Sequence, residues 1–237
     1  MPDLSQTWPW ISLAVLGAFH GLNPAMGWLF AVALGLQEQR WRAVLAALGL
    51  IALGHALAIA LVAIPVGFLG LRVPSSHLLA VSGLVLLGFA AYKVALRFRH
   101  PRWVGMRVSG QELVLWSFLM ASAHGAGLML APLIATLSHR QQSTGALAAD
   151  HAGHLGHAVA PVPAELGAAL APALIATALH TASMLAVMGA AALLVYQVLG
   201  VELLRRAWIN LDFIWAGALV VTGGLALGLG VVASVAS

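Results

Sequence analysis

Of the 237 residues, 62% are hydrophobic and 8% charged, with a mean hydropathy of +0.98; a soluble domain carries roughly 25% charge, so the chain reads as an all-α integral membrane protein. There is no cysteine, which excludes disulfides, thiolate metal sites and thiol–disulfide exchange. The isoelectric point of about 10.7 accompanies a net charge of only +4, and the basic residues lie in short loops, where they report orientation and give no case for a nucleic-acid partner.

A hydrocarbon core of about 30 Å takes about 20 helical residues to cross. Apolar runs of that length fall near residues 9–36, 43–70, 77–96, 112–138, 166–199 and 212–236, so six spans are expected. The first run lacks a basic flank and exceeds the roughly 7 to 15 residues of a secretory apolar segment, and is expected to be a retained helix. It is interrupted by "HGLNPAM" at residues 20–26, where Pro24 removes a backbone donor. The fifth run is too long for a straight crossing, and Pro172 is expected to separate an interfacial first part from the span proper.

Nine of the eleven basic residues cluster in three connections: Arg40 and Arg42, then Lys93, Arg97, Arg99, Arg102 and Arg107, then Arg205 and Arg206. Only Arg72 and Arg140 fall in the other loops. The positive-inside rule then places both termini, and a long loop at about 138–163, outside the cytoplasm in a multi-pass cytoplasmic (inner) membrane protein.

The chain also repeats. "AHGAGLML" echoes "FHGLNPAM", so His124 and Gly125 match His20 and Gly21; "LIATALHTASML" echoes "LIALGHALAIAL", so His180 matches His55; "TGGLALG" echoes "SGLVLLG", so Gly223 and Gly228 match Gly83 and Gly88. Three matches in the same order predict two three-helix repeats, residues 1–110 and 111–237. An odd number of spans per repeat inverts one against the other, an arrangement that in transporters places the substrate near the midplane between broken helices.

Ionisable groups within spans mark sites or pathways, and His20, His55, His124 and His180 form two matched pairs. Neutral imidazole is the commonest metal ligand. Around them, Gly21, Pro24, Gly125 and Gly127 are candidate helix breaks that expose carbonyls; tight helix packing is the alternative reading of such glycines. Asn23 offers an amide oxygen. Met26, Met129 and Met184 lie near the histidines, and a thioether with imidazole makes a soft donor set, although methionine in an apolar helix more often packs. The outer segment "DHAGHLGH" supplies Asp150, His151, His154 and His157, with His139 nearby, a composition suited to collecting metal or to a plain solvated linker. No carboxylate pair, activated nucleophile or phosphate-cradling loop stands out, so no enzymatic activity is expected.

On "HGLNPAM" and "GHALAIAL" at residues 54–61, with the histidine-rich segment in support, the chain resembles the nickel/cobalt efflux branch of the lysine-exporter superfamily as a divergent member. That family's first helix typically carries a His-Ala-Leu-acid-Pro-Gly-His-like stretch. His20, Leu22 and Pro24 keep it; Asn23 replaces the acid and Met26 the second histidine. The resemblance implies transport of a nickel- or cobalt-like ion, leaning to export; the soft donor set adds copper, and copper, nickel, cobalt and zinc stand as candidate substrates. Together these readings point to a metal transporter with a site lined by His20, Asn23, Met26, His55, His124 and His180. Its expected partners are the lipid bilayer and the ion, and a homo-oligomer or a partner membrane subunit is left open. Two alternatives stand beside it: a haem-b electron carrier with paired axial histidines, and an exporter of a small organic solute that uses the histidines for hydrogen bonding or proton coupling.

Overall fold

The structure, a computed structural model, describes residues 4–95, 109–152, 162–199 and 211–235. Every element among them is helical: α1 (Leu4–Leu22), a 3₁₀ turn (Pro24–Met26), α2 (Trp28–Glu38), α3 (Trp41–Gly70), α4 (Ser75–Ala95), α5 (Gly110–Ala123), α6 (Ala126–Ala152), α7 (Val162–Leu194) continued by a π-helical turn (Val195–Leu199), and α8 (Leu211–Val235). Four helical stretches, Trp41–Gly70, Ser75–Ala95, Leu170–Val198 and Ala216–Val235, are long and apolar enough to cross a membrane. A fifth crossing arises if Gly110–Ala123 and Ala126–Arg140, bent by 66° at their junction, count as one. This is compatible with a multi-pass membrane protein. The first of the six expected runs is divided between α1 and the short, apolar α2, so it contributes no single long helix.

The breaks have local causes. At the first, Asn23 N–H donates to the His20 carbonyl and Met26 N–H to the Asn23 carbonyl; Pro24 opens a tight turn, and Gly27, with φ +108°, turns the chain into α2. At the second, Gly125 adopts φ +71°, a region costly to any residue with a Cβ. Of the four expected break residues, Pro24 and Gly125 stand in breaks. Gly21 and Gly127 instead lie inside α1 and α6, where the missing side chain admits the Met184 carbonyl and the Val62 side chain.

Two boundaries differ from expectation. Pro172 lies within continuous α7, as Pro9, Pro65 and Pro132 lie within α1, α3 and α6. One proline removes one backbone bond, and a long helix packed against neighbours absorbs that loss; Pro24 differs in having Asn23 and Gly27 beside it. The segment expected as a loop at about 138–163 is helical through Ala152 and again from Val162. Its helical stretch to Ala152 holds four alanines and two glutamines, which favour helix, and the segment has no proline before Pro161.

Close backbone approach at glycines sets the packing. α1 runs parallel to α7, with Gly17 against the His180 carbonyl and Gly21 against that of Met184. α5 runs parallel to α3, with Gly110 beside Leu50 and Gly54 against the Val114 carbonyl and the Phe118 backbone nitrogen; Ser117 Oγ donates to the Ile51 carbonyl across this contact at 2.7 Å. α4 and α8 are antiparallel, and Gly83 and Gly223 lie face to face. Trp8, Leu79, Thr136 and Ala233 line one apolar groove of about 570 Å³, so the first turns of α1 and the last turns of α8 share one end of the bundle with the start of α4. The α2–α3 turn and the start of α5 line a second recess, beside Arg40, Arg42 and Gly110.

Two apolar clusters fill the interior. One gathers Leu13, Ala58, Ile59, Met129, Ile134 and Ala176. The other gathers Trp28, Val44, Ile51, Leu113, Met184 and Met188. Along α3 the second cluster ends at Ala52 and the first resumes at Ala58; along α7 the first ends at Ala176 and the second begins at Met184. His55 and His180 fall in those two gaps.

Candidate metal centre

Three imidazoles from three helices meet at that seam. His20 comes from the last turn of α1, His55 from the middle of α3 and His180 from the middle of α7; the ligating atoms they offer all lie within 4.8 Å of one another. Each side chain is at most 1% exposed. The His55 and His180 rings are parallel to within 6°, and their Nε2 atoms approach to 3.5 Å. The His20 ring stands nearly upright to both, its centroid 5.5 Å from that of His55 and 4.8 Å from that of His180.

Hydrogen bonding assigns the protons on two of the four buried histidines. His20 Nδ1 lies 2.8 Å from the Leu16 carbonyl, and His124 Nδ1 lies 2.7 Å from the Met120 carbonyl. A carbonyl only accepts, so each Nδ1 carries the hydrogen, and in the neutral ring the lone pair is then on Nε2. A carbonyl behind the distal nitrogen is the usual support of a metal-ligating histidine. Gly17 brings α1 and α7 close enough for His20 and His180 to meet, since a Cβ there would collide with the carbonyl of His180 itself, while Gly54, beside His55, admits the Val114 carbonyl of α5.

The remaining sequence candidates are distributed as follows. His124 is buried at the α5–α6 break, within electrostatic range of His20 and His55, yet outside the three-histidine group. Asn23 is buried in the first break. Met26 and Met129 are buried in one apolar cluster and Met184 in the other. His139 is exposed on α6, Asp150 and His151 fall in the last residues of α6, and His154 and His157 lie outside the described residues. Three glycines that the sequence reading passed over matter to the site: Gly17, Gly27 and Gly54. The first had a visible signal, since Gly17 and Gly21 stand four apart, the spacing of close helix contact. Gly54 had none beyond its place beside His55.

The fold and the site thus define an all-α protein of long apolar helices with a buried three-imidazole cluster beside a broken helix. The chain matches no protein-family model, and it matches neither a curated protein nor a solved structure.

Proposed function

We propose that this protein is a transporter of the cytoplasmic membrane that moves a transition-metal cation through a site formed by His20, His55 and His180, with His124 and Asn23 adjoining. The observation that carries the reading is the meeting of three buried imidazoles from separate helices at a seam between two apolar clusters. A buried ionisable group is expensive in a membrane unless it has a task, and three whose donors converge are suited to an ion. The apolar clusters above and below would occlude it.

In this reading α1 with α2, and α5 with α6, are each one broken crossing, which makes six spans in two inverted repeats, with both termini outside the cytoplasm. Support comes from how matched positions sit. His20 and His124 make the same Nδ1–H bond to the carbonyl four residues back, each just before a break. The matched pair His55 and His180 face each other through like atoms, and the matched pair Gly83 and Gly223 do so through like backbone groups. Matched residues meet in this way at a two-fold axis. The α1–α7 and α5–α3 contacts are exchanged by the same operation. This architecture accords with the resemblance to the nickel/cobalt efflux branch of the lysine-exporter superfamily.

Haem has less support. A porphyrin needs the plane between two axial imidazoles clear, and His20 stands within 5.5 Å of both rings.

The test is elemental analysis by plasma mass spectrometry, with an absorption spectrum, on detergent-purified full-length protein. Wild type is compared with His55→Ala/His180→Ala and with a variant in which His139, His151, His154 and His157 are all alanine. The expected result is near-stoichiometric metal in wild type and in the outer-segment variant, lost in the double variant. Metal retained by the double variant, or none in wild type under any loading, removes the proposal, and in the latter case organic-solute transport becomes the reading to pursue.

A further inference from the structure

The chemistry of the three-histidine cluster bears on the charge of its ion. Among the described residues whose side chains are placed, the acidic ones are Glu38 and Glu112. Glu38 is exposed and pairs with Arg40 at 2.6 Å. Glu112 is exposed and closes a capping box with Ser109 at the start of α5. The group that could hold a metal consists of histidines alone. Apolar clusters adjoin it on both sides, one holding Leu13, Ala58 and Ala176 and the other Ile51 and Met184, and the buried polar residues near it, His124 and Asn23, are neutral donors without negative charge.

Neutral imidazoles supply lone pairs but no negative charge. The cost of burying an ion in a low-dielectric medium grows with the square of its charge, so at equal radius a divalent ion pays about four times the desolvation of a monovalent one. A divalent ion would have to carry its own hydroxide or another anion into a site whose ligands are at most 1% exposed. The His55 and His180 Nε2 atoms are 3.5 Å apart, a separation that two nitrogens bound to one ion at about 2.0 Å can adopt, and the group supplies three such donors. His20, held by the Leu16 carbonyl, offers the third donor, within 4.8 Å of the other two.

We propose that the site selects a monovalent d¹⁰ cation, Cu(I) or Ag(I), in three-coordinate imidazole ligation, over divalent cations of the same electron count. This rests on the transport-site reading above and gives its substrate class. The protein then discriminates by charge, through a ligand set that among the described residues includes no carboxylate, and not by softness alone.

The test uses Ag(I) and Zn(II), two d¹⁰ ions without ligand-field preference, added singly to metal-free full-length protein in nanodiscs in a chloride-free, weakly coordinating buffer. Binding is followed by isothermal titration and by the imidazole resonances of ¹⁵N-histidine-labelled protein, which report the shift of each ligating nitrogen. The expected result is one Ag(I) per chain with His20, His55 and His180 Nε2 shifted, and Zn(II) binding at least about a hundredfold weaker. His20→Glu, which installs one negative charge in the cluster, is expected to narrow or reverse that ratio. Zn(II) binding the same three histidines as tightly as Ag(I) overturns charge selection while leaving a metal site. Failure of both ions to shift those resonances overturns the metal site itself, and with it this inference. The wild-type comparison decides the matter even if His20→Glu does not fold.

Discussion

At the scale of single residues, backbone groups place the site as much as side chains do. His20 is held by the Leu16 carbonyl at 2.8 Å, which fixes the tautomer and leaves the lone pair on Nε2. Gly17, one turn back, lets α1 rest on the carbonyl of His180. Gly17→Ala pushes the two helices apart at the cluster, and overpacking of this kind costs about 1 to 3 kcal/mol. The expected outcome is a lowered thermal midpoint together with weakened metal binding, measured on the same detergent sample. Ser117→Ala tests the other side of the fold. It removes the 2.7 Å bond to the Ile51 carbonyl, at a cost of about 1 kcal/mol, and is expected to lower the midpoint while metal stoichiometry stays at wild-type level.

At the scale of elements, the two breaks are alike in placement and different in construction. The first uses Asn23, Pro24 and Gly27; the second needs only His124 and Gly125. Gly125→Ala forces a Cβ into φ +71° and against the Phe89 ring, which costs about 1 to 3 kcal/mol. Gly49→Ala is the control. Gly49 lies inside α3 with open space where a Cβ would go, so the change is expected to leave stability unchanged or raise it by about 0.5 to 1 kcal/mol. Equal midpoints for the two alanine variants in a thermal melt would show that the break at Gly125 is unstrained.

At the scale of the whole molecule, the absence of cysteine permits a topology measurement without background. In the proposed orientation, a single cysteine at Gln39 reacts with a membrane-impermeant maleimide only after the cells are opened, and one at Arg72 reacts in intact cells. Labelling of both from the same side would remove the inverted topology. Gln39 stands in the α2–α3 turn, next to the exposed Arg40–Glu38 pair, and Arg72 in the turn after α3, so α3 alone separates them.

Hydropathy made the all-helical character and several of the long apolar helices legible in the amino-acid order, because burying a chain in hydrocarbon demands continuous apolar runs with their backbone bonds satisfied internally. The four buried histidines and the two breaks were legible too: polar residues, proline and glycine stand out against such runs. Tertiary structure decided which of those candidates meet. His20, His55 and His180 converge because α1, admitted at Gly17, and α3 both pack against α7, while His124 is buried outside their group and Met26 joins the apolar interior. No local pattern encodes that division, since it depends on which helix faces which and at what height. The same dependence explains the helical run through Ala152, where alanine-rich propensity outweighed the polar, histidine-rich composition, and the continuity of α7 through Pro172, where packing along a long helix outweighed the loss of one backbone bond.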